Sequence, residues 1–287
     1  VPSIIPQMEL KDERLVKVVS NEGITGLPSG FPAQKSDVLI PANSKVNIIL
    51  DQSYLTNAYP NLEFSGGKTA TITLRYAEAL FNKTSKGNRN EITGKTFVGR
   101  ADSLISDGSQ NQKFTSLTYR TYRYLQITVT TQNEAVALND IYGTFTGYPF
   151  KMNAQLSANQ PEMDKMLEIG WRTARLCAYE TYMDCPYYEQ LQYIGDGRIQ
   201  ALVSLYNSGD DRLVKNAINL MDFSRTPEGV TLSRHPSYTP QFIPTFSLWY
   251  IGMLQDYARY GADIEFVKSK ISGTRQILDY FKSYQQA

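Results

Sequence analysis

The hydrophobic period of this chain changes once, near residue 160, and that change narrows the folds open to it. Before the change the period is two. In Lys68-Thr-Ala-Thr-Ile-Thr-Leu-Arg-Tyr76, Ala70, Ile72, Leu74 and Tyr76 point one way and Thr71, Thr73 and Arg75 the other. One apolar face at period two is the mark of a half-buried strand. Residues 124–129 repeat the pattern with Leu125, Ile127 and Val129 inward. Residues 46–50 predict a shorter strand between turn-rich flanks. Gly66-Gly67, Asn88, Asp107-Gly108 and Gly143 punctuate these segments. Many short strands divided by polar turns predict an antiparallel sandwich.

After the change the spacing is three and four. Asn159-Gln-Pro161-Glu162 reads as a helix start, with the amide as cap and the proline where its missing N–H costs nothing. Met163, Met166, Leu167, Gly170, Ala174, Cys177 and Ala178 then form one helical stripe. Further helical patterns run over about 197–207, 210–223, 242–260 and 263–284. Asp210 and Asp263 stand near two of the starts, where the helix dipole favours a carboxylate. The expected organisation is a jelly-roll-like β-sandwich over 1–155 and an all-α region over 156–287. No internal repeat or low-complexity linker separates them.

Composition excludes several functions. The 29 basic and 28 acidic residues leave a net charge of +1, without the basic excess that a nucleic-acid partner requires. No uninterrupted apolar run reaches the roughly 18 residues of a membrane span. Cys177 and Cys185 are the only cysteines and His235 the only histidine. A disulfide framework and a cysteine-built zinc site are ruled out, and no histidine spacing suits a metal, so neither metal nor cofactor is expected. A Ser-His-Asp or Cys-His mechanism would need His235, and no Gly-x-Ser-x-Gly precedes it. The 20 tyrosines suit carbohydrate binding, because each offers a flat apolar ring with a hydroxyl tip. Tyrosine-rich sheet surfaces explain them equally well.

One stretch between helices gathers carboxylates among aromatic rings: Asp184, Glu189 and Asp196, with Tyr187, Tyr188 and Tyr193. Like charge and desolvation raise carboxyl pKa values, and a carboxyl still protonated near neutral pH can act as a general acid. Glycoside cleavage needs such a group to protonate the leaving oxygen. The plainer reading is an acidic loop in which Asp184 caps a turn and Asp196 caps the next helix. Pro186 stops helical continuation, and Gly195 is read as permitting a tight turn.

Asp184-Cys185-Pro186, Glu189 and Gly195-Asp196 resemble the signature of the bacterial α-L-rhamnosidases, glycoside hydrolase family 78. Four further segments resemble the same family in order along the chain. Pro2-Ser-Ile-Ile-Pro-Gln-Met-Glu9 is similar to its entry into the middle sandwich, and residues 114–124 to a penultimate sandwich strand. Residues 170–177 and 240–250 resemble two helices of its barrel. The resemblance implies a β-sandwich followed by an (α/α)6 barrel, and hydrolysis of terminal α-L-rhamnose with inversion. It implies Glu189 as general acid, with Asp184 and Asp196 binding rhamnose hydroxyls and setting the acid's pKa. A base carboxylate is implied late in the barrel.

Only about 127 residues follow position 160, room for roughly five helices at ~25 residues per helix and loop. The expectation is therefore an incomplete barrel in an internal fragment, whose missing C-terminal segment carries the base, and which alone is inactive. Tyr193 stands where the family commonly has tryptophan; either ring can stack on a sugar face, so Tyr193 is expected to bind the substrate. Tyr187 and Tyr188 replace polar and arginine residues, and these departures put the sugar recognised in doubt.

His235, in a turn-rich loop, is read as a sugar contact or a solvated loop residue. Trp249 shares a stripe with Phe246 and Leu248 and reads as core or as a sugar platform; Trp171 reads as core. Arg234 has Glu189 or Asp196 as partners in prospect, and Cys185 is expected to pack beneath its loop. The expected partner is a rhamnose-containing carbohydrate, and a periplasmic or secreted location is favoured over a cytoplasmic one. The alternatives are a non-catalytic glycan-binding protein and an (α/α)6 enzyme for another sugar.

Overall fold

The period-two half forms nine strands in a computed structural model that describes residues 3–285. Val1, Pro2, Gln286 and Ala287 lie outside the described residues, and with them Pro2 of the segment resembling the sandwich entry. The strands are β1 (Glu9–Glu13), β2 (Lys17–Glu22), β3 (Val38–Ile40), β4 (Lys45–Gly66), β5 (Thr71–Ala77), β6 (Arg100–Ile105), β7 (Gln112–Thr115), β8 (Arg120–Thr130) and β9 (Val136–Gly147). The alternation read from sequence is kept: Ala70, Ile72, Leu74, Tyr76, Leu125, Ile127 and Val129 are all fully buried.

The strand predicted at 46–50 runs far beyond its expected end. β4 has 22 residues. Its first part pairs antiparallel with β2 and β8, and its second part with β9 and β7. Pairing with β8 loses register between Asp51 and Thr56, where Ser53 takes a φ of 72°. There the strand bends from one layer into the other. One layer runs β6-β5-β8-β4-β2; the second holds β7, the rest of β4, β9 and, beyond β9, β1 and β3. Val46, Ile48 and Leu50 from the first layer pack in one core with Leu62, Phe64, Leu138 and Ile141 from the second. The polar run around the bend looks like a loop in sequence. It is satisfied internally instead, with Asp51 Oδ1 accepting from Ser53 N (2.7 Å) and Asn57 Oδ1 from Thr121 Oγ1 (2.8 Å).

Residues up to Glu9 and from Gly147 onward form a unit distinct from Leu10–Thr146. It contains α1 (Glu162–Leu176), α2 (Ile194–Ser208), α3 (Arg212–Phe223), α4 (Phe246–Tyr260) and α5 (Ile264–Ser283). The fold class is thus an antiparallel β-sandwich and part of a helical barrel. The α1 start departs from the expected cap. Pro161 itself holds the N-cap position, no side chain caps it, and the Gln160 carbonyl accepts from Met163 N. Of the predicted stripe, Cys177 and Ala178, just past the helix, are buried and Met166 is exposed; within α1 the buried residue is Leu176, off the stripe. Trp171 does pack inward, 5.9 Å from Phe150. Asp263 caps α5 by accepting from Phe266 N, and Asp210 accepts from Arg212 N ahead of α3. The core joins Ile218 and Met221 of α3 to Tyr250 and Met253 of α4, Leu205 of α2 and Ile277 of α5. No helix among the described residues is long and apolar enough to cross a membrane.

Asp222 ties α3 to α5 by accepting from Lys270 Nζ at 2.9 Å. Burial alone would push its carboxyl up, but Lys270 and Arg225 outweigh that and hold it below its usual range. A depressed carboxyl contributes stability that is present above its unfolded pKa of about 4 and lost as pH falls through the folded value. Unfolding free energy followed by urea titration should therefore drop below pH ~4, and less so in Asp222→Asn. An equal drop in both proteins would assign the acid sensitivity elsewhere.

Candidate active site

The stretch that gathers carboxylates in sequence is a tight loop between α1 and α2. Asp184 N donates to the Leu191 carbonyl (2.9 Å) and Asp184 Oδ1 accepts from Leu191 N (3.0 Å). This pair closes the segment Cys185–Gln190. Inside it Gln190 has a φ of 56° and its amide Nε2 donates to the Pro186 carbonyl. The Cys185 sulfur lies under the loop and accepts from Glu189 N at 3.4 Å. The nearby Cys177 thiol is buried, which pushes it up to about 11; the charges of Asp184 and Asp196 add to that. A thiol so shifted stays protonated and is no nucleophile.

Glu189 emerges from this loop with its side chain about half exposed. Its Oε2 accepts from the Tyr193 hydroxyl at 2.7 Å. That hydroxyl in turn accepts from Arg234 Nη1 at 2.7 Å, and the same nitrogen lies 3.7 Å from Glu189 Oε2. The Arg234 guanidinium stacks over the Tyr193 ring, 5.4 Å from its centroid. Of the two partners in prospect for Arg234, the fold supplies Glu189.

Arg234 reaches the site because a second loop, between α3 and α4, is bonded to the first. Ile194 N donates to the Ser233 carbonyl, His235 N to the Gln192 carbonyl, and Tyr193 and Arg234 bridge as in a sheet. Gln192 pins the junction. It is buried; its Oε1 accepts from Tyr182 N and its Nε2 donates to the His235 carbonyl. Sequence reading missed Gln192, since a lone glutamine in a loop signals nothing until its two backbone partners are known. His235 is partly buried, which lowers its imidazole pKa and so favours the neutral form.

Asp184 spends one oxygen on its own loop, and Asp196 sits partly buried in the first turn of α2. Among the described residues no three His, Cys, Asp or Glu side chains converge as a metal would need. Gly195 lies inside α2 rather than in a tight turn; a Cβ there would come within 3.0 Å of the Phe246 ring, so glycine permits close approach to α4. Trp249 is not core. It is 38 % exposed, with the Arg198 guanidinium 5.1 Å from its ring centroid. Arg198 is held there by Asp256 (2.7 Å).

Residues 151–287 match the bacterial α-L-rhamnosidase six-hairpin glycosidase domain, and residues 43–146 the bacterial α-L-rhamnosidase concanavalin-like domain. The chain belongs to the bacterial α-L-rhamnosidases. Solved rhamnosidases share its fold at low identity. A GH78 family rhamnosidase of Bacillus sp. GL1 is 23% identical with a TM-score of 0.75, covering 86% of this chain and 25% of its own. A rhamnosidase from Klebsiella oxytoca, solved with rhamnose bound, is 14% identical with a TM-score of 0.80 over 99% of this chain and 58% of its own. An α-L-rhamnosidase of Streptomyces avermitilis, complexed with L-rhamnose, is 18% identical with a TM-score of 0.67, covering 88% and 25%. The chain therefore spans a quarter to somewhat over half the length of these rhamnosidases. No curated protein matches it.

Proposed function

We propose that this chain carries the acid half of an inverting α-L-rhamnosidase, with Glu189 as general acid. The observation that supports this most is Glu189 itself. It lies within the glycosidase-domain match, on a braced loop, with one carboxyl oxygen held at 2.7 Å by Tyr193. In the reaction the Glu189 proton passes to the glycosidic oxygen as the bond from that oxygen to the sugar's anomeric carbon breaks. A water adds to the opposite face and gives its proton to a second carboxylate, roughly 6.5–9.5 Å from the first. No residue of this chain is assigned that second role.

Asp184 and Asp196 are proposed to bind rhamnose hydroxyls, Asp184 through the oxygen its own loop leaves open. His235, neutral, can exchange hydrogen bonds with a sugar hydroxyl. Arg198 covers one face of Trp249, and the other face can stack on the sugar or its aglycone. Tyr187 is buried and packs edge-on against Tyr188, 4.9 Å between ring centroids, so of that pair only Tyr188 is open to a ligand.

The test is release of L-rhamnose from an aryl α-L-rhamnoside by the protein that carries this chain, beside α-L-fucoside and β-D-glucoside. Proton NMR of the first-formed sugar should show the inverted, β anomer. Turnover confined to another glycoside, or retention, would overturn the assignment.

A further inference from the structure

Resting on Glu189 as the acid, we propose that the Tyr193 hydroxyl, gripped by Arg234, decides which oxygen of Glu189 carries the transferable proton. The direction of the Arg234 bond follows from chemistry alone, and against a Glu189 carboxylate the Tyr193 hydroxyl can only donate. A guanidinium has only donors, and a tyrosine hydroxyl has one O–H and two lone pairs. With Arg234 Nη1 donating to the Tyr193 oxygen at 2.7 Å, the hydroxyl proton turns to Glu189 Oε2, also at 2.7 Å. Burial foremost, then the bond to Glu189, raises the Tyr193 pKa above its usual value, so the hydroxyl keeps that proton. A proton on Oε2 would force Tyr193 to turn its own proton away, whereas a proton on Oε1 leaves the Tyr193 bond as it stands. The transferable proton therefore sits on Oε1, which takes no hydrogen bond from the described residues.

The relay is rigid. The Tyr193 ring meets Phe246 edge-on at 6.4 Å and lies under the Arg234 guanidinium. Its backbone is the N-cap of α2 and bridges to Arg234. At 3.7 Å from Oε2, Arg234 is too far for a hydrogen bond to Glu189 and acts through the hydroxyl. Tyr193 is thus a positioning residue. Without its donor Glu189 can hold its proton on either oxygen and sample other rotamers, and only part of the population delivers the proton to the substrate.

The experiment compares Tyr193→Phe and Tyr193→Trp in the protein that carries this chain, with Glu189→Gln as reference. Phenylalanine keeps the ring contacts and removes only the hydroxyl; tryptophan restores an N–H donor. Tyr193→Phe should lower kcat on an alkyl rhamnoside roughly tenfold to a hundredfold, the range for a hydrogen bond to a charged group. KM and the melting temperature should stay unchanged, and Tyr193→Trp should recover part of the loss. Wild-type kcat in Tyr193→Phe, a change confined to KM, or no recovery with tryptophan would overturn the relay. If Glu189→Gln itself leaves turnover intact, the failure lies with the proposed acid instead.

Discussion

Replacing Glu189 by glutamine should lower turnover of an alkyl α-L-rhamnoside by on the order of 10²–10⁴-fold, the usual contribution of a general acid. Glutamine is the informative choice. Its carbonyl oxygen can still accept from Tyr193, and its amide is close in size to the carboxyl, so the loop closed by Asp184 and Leu191 is left undisturbed. What is lost is the acidic proton. An alkyl alcohol leaves poorly as an alkoxide and needs that proton as the bond breaks. A 2,4-dinitrophenolate leaves without help, so on that glycoside the loss should shrink towards none while KM stays near the parent value. A uniform loss on both substrates would mean that the substitution damages binding or folding. An unchanged rate on the alkyl substrate would exclude Glu189 as the acid.

Asp51→Ala should cost about 1.5–3 kcal/mol of stability, the range for hydrogen bonds to a charged group, because the pair is buried at Asp51 and only partly at Arg123. The Asp51 side chain is only 3% exposed and that of Arg123 15%. Arg123 Nε lies 3.0 Å from Asp51 Oδ1, and its Nη1 donates to Asn90 Oδ1 at 2.7 Å. The same Asp51 oxygen accepts from Ser53 N in the bend of β4. Alanine therefore leaves a half-buried guanidinium without its carboxylate and removes the acceptor that stabilises the bend between the two layers. Urea denaturation of the single variant and of Asp51→Ala/Arg123→Met separates the two effects. The double variant should regain most of the loss, since it buries no unpaired charge. If it is as unstable as Asp51→Ala, the ion pair is not the cause and the bend is.

The errors of sequence reading share one physical origin. At Asp51–Asn57 a polar run looks like a turn because the groups that satisfy it, Arg123 and Thr121, come from β8. At Asn159 the expected cap loses to a neighbouring carbonyl of its own chain. Gly195 reads as a turn residue until Phe246 is seen against it. The spacing of Trp249 fits core and platform alike, and only its exposure, with Arg198 held by Asp256 over its ring, removes the first. In each case the deciding partner is distant in sequence or is a backbone group with no signature of its own.

Local pattern alone determined the two-part architecture, the inward faces of β5 and β8, the five helices and the loop that bears Glu189. Each is a property of a few consecutive side chains and their period, so it can be read without knowing what lies opposite. Tertiary structure alone decided that β4 serves both layers, that Gln192 pins two loops, and that Tyr193 stands between Arg234 and Glu189. Those outcomes depend on which buried donors and acceptors meet once remote segments pack together, and a linear spacing holds no record of that.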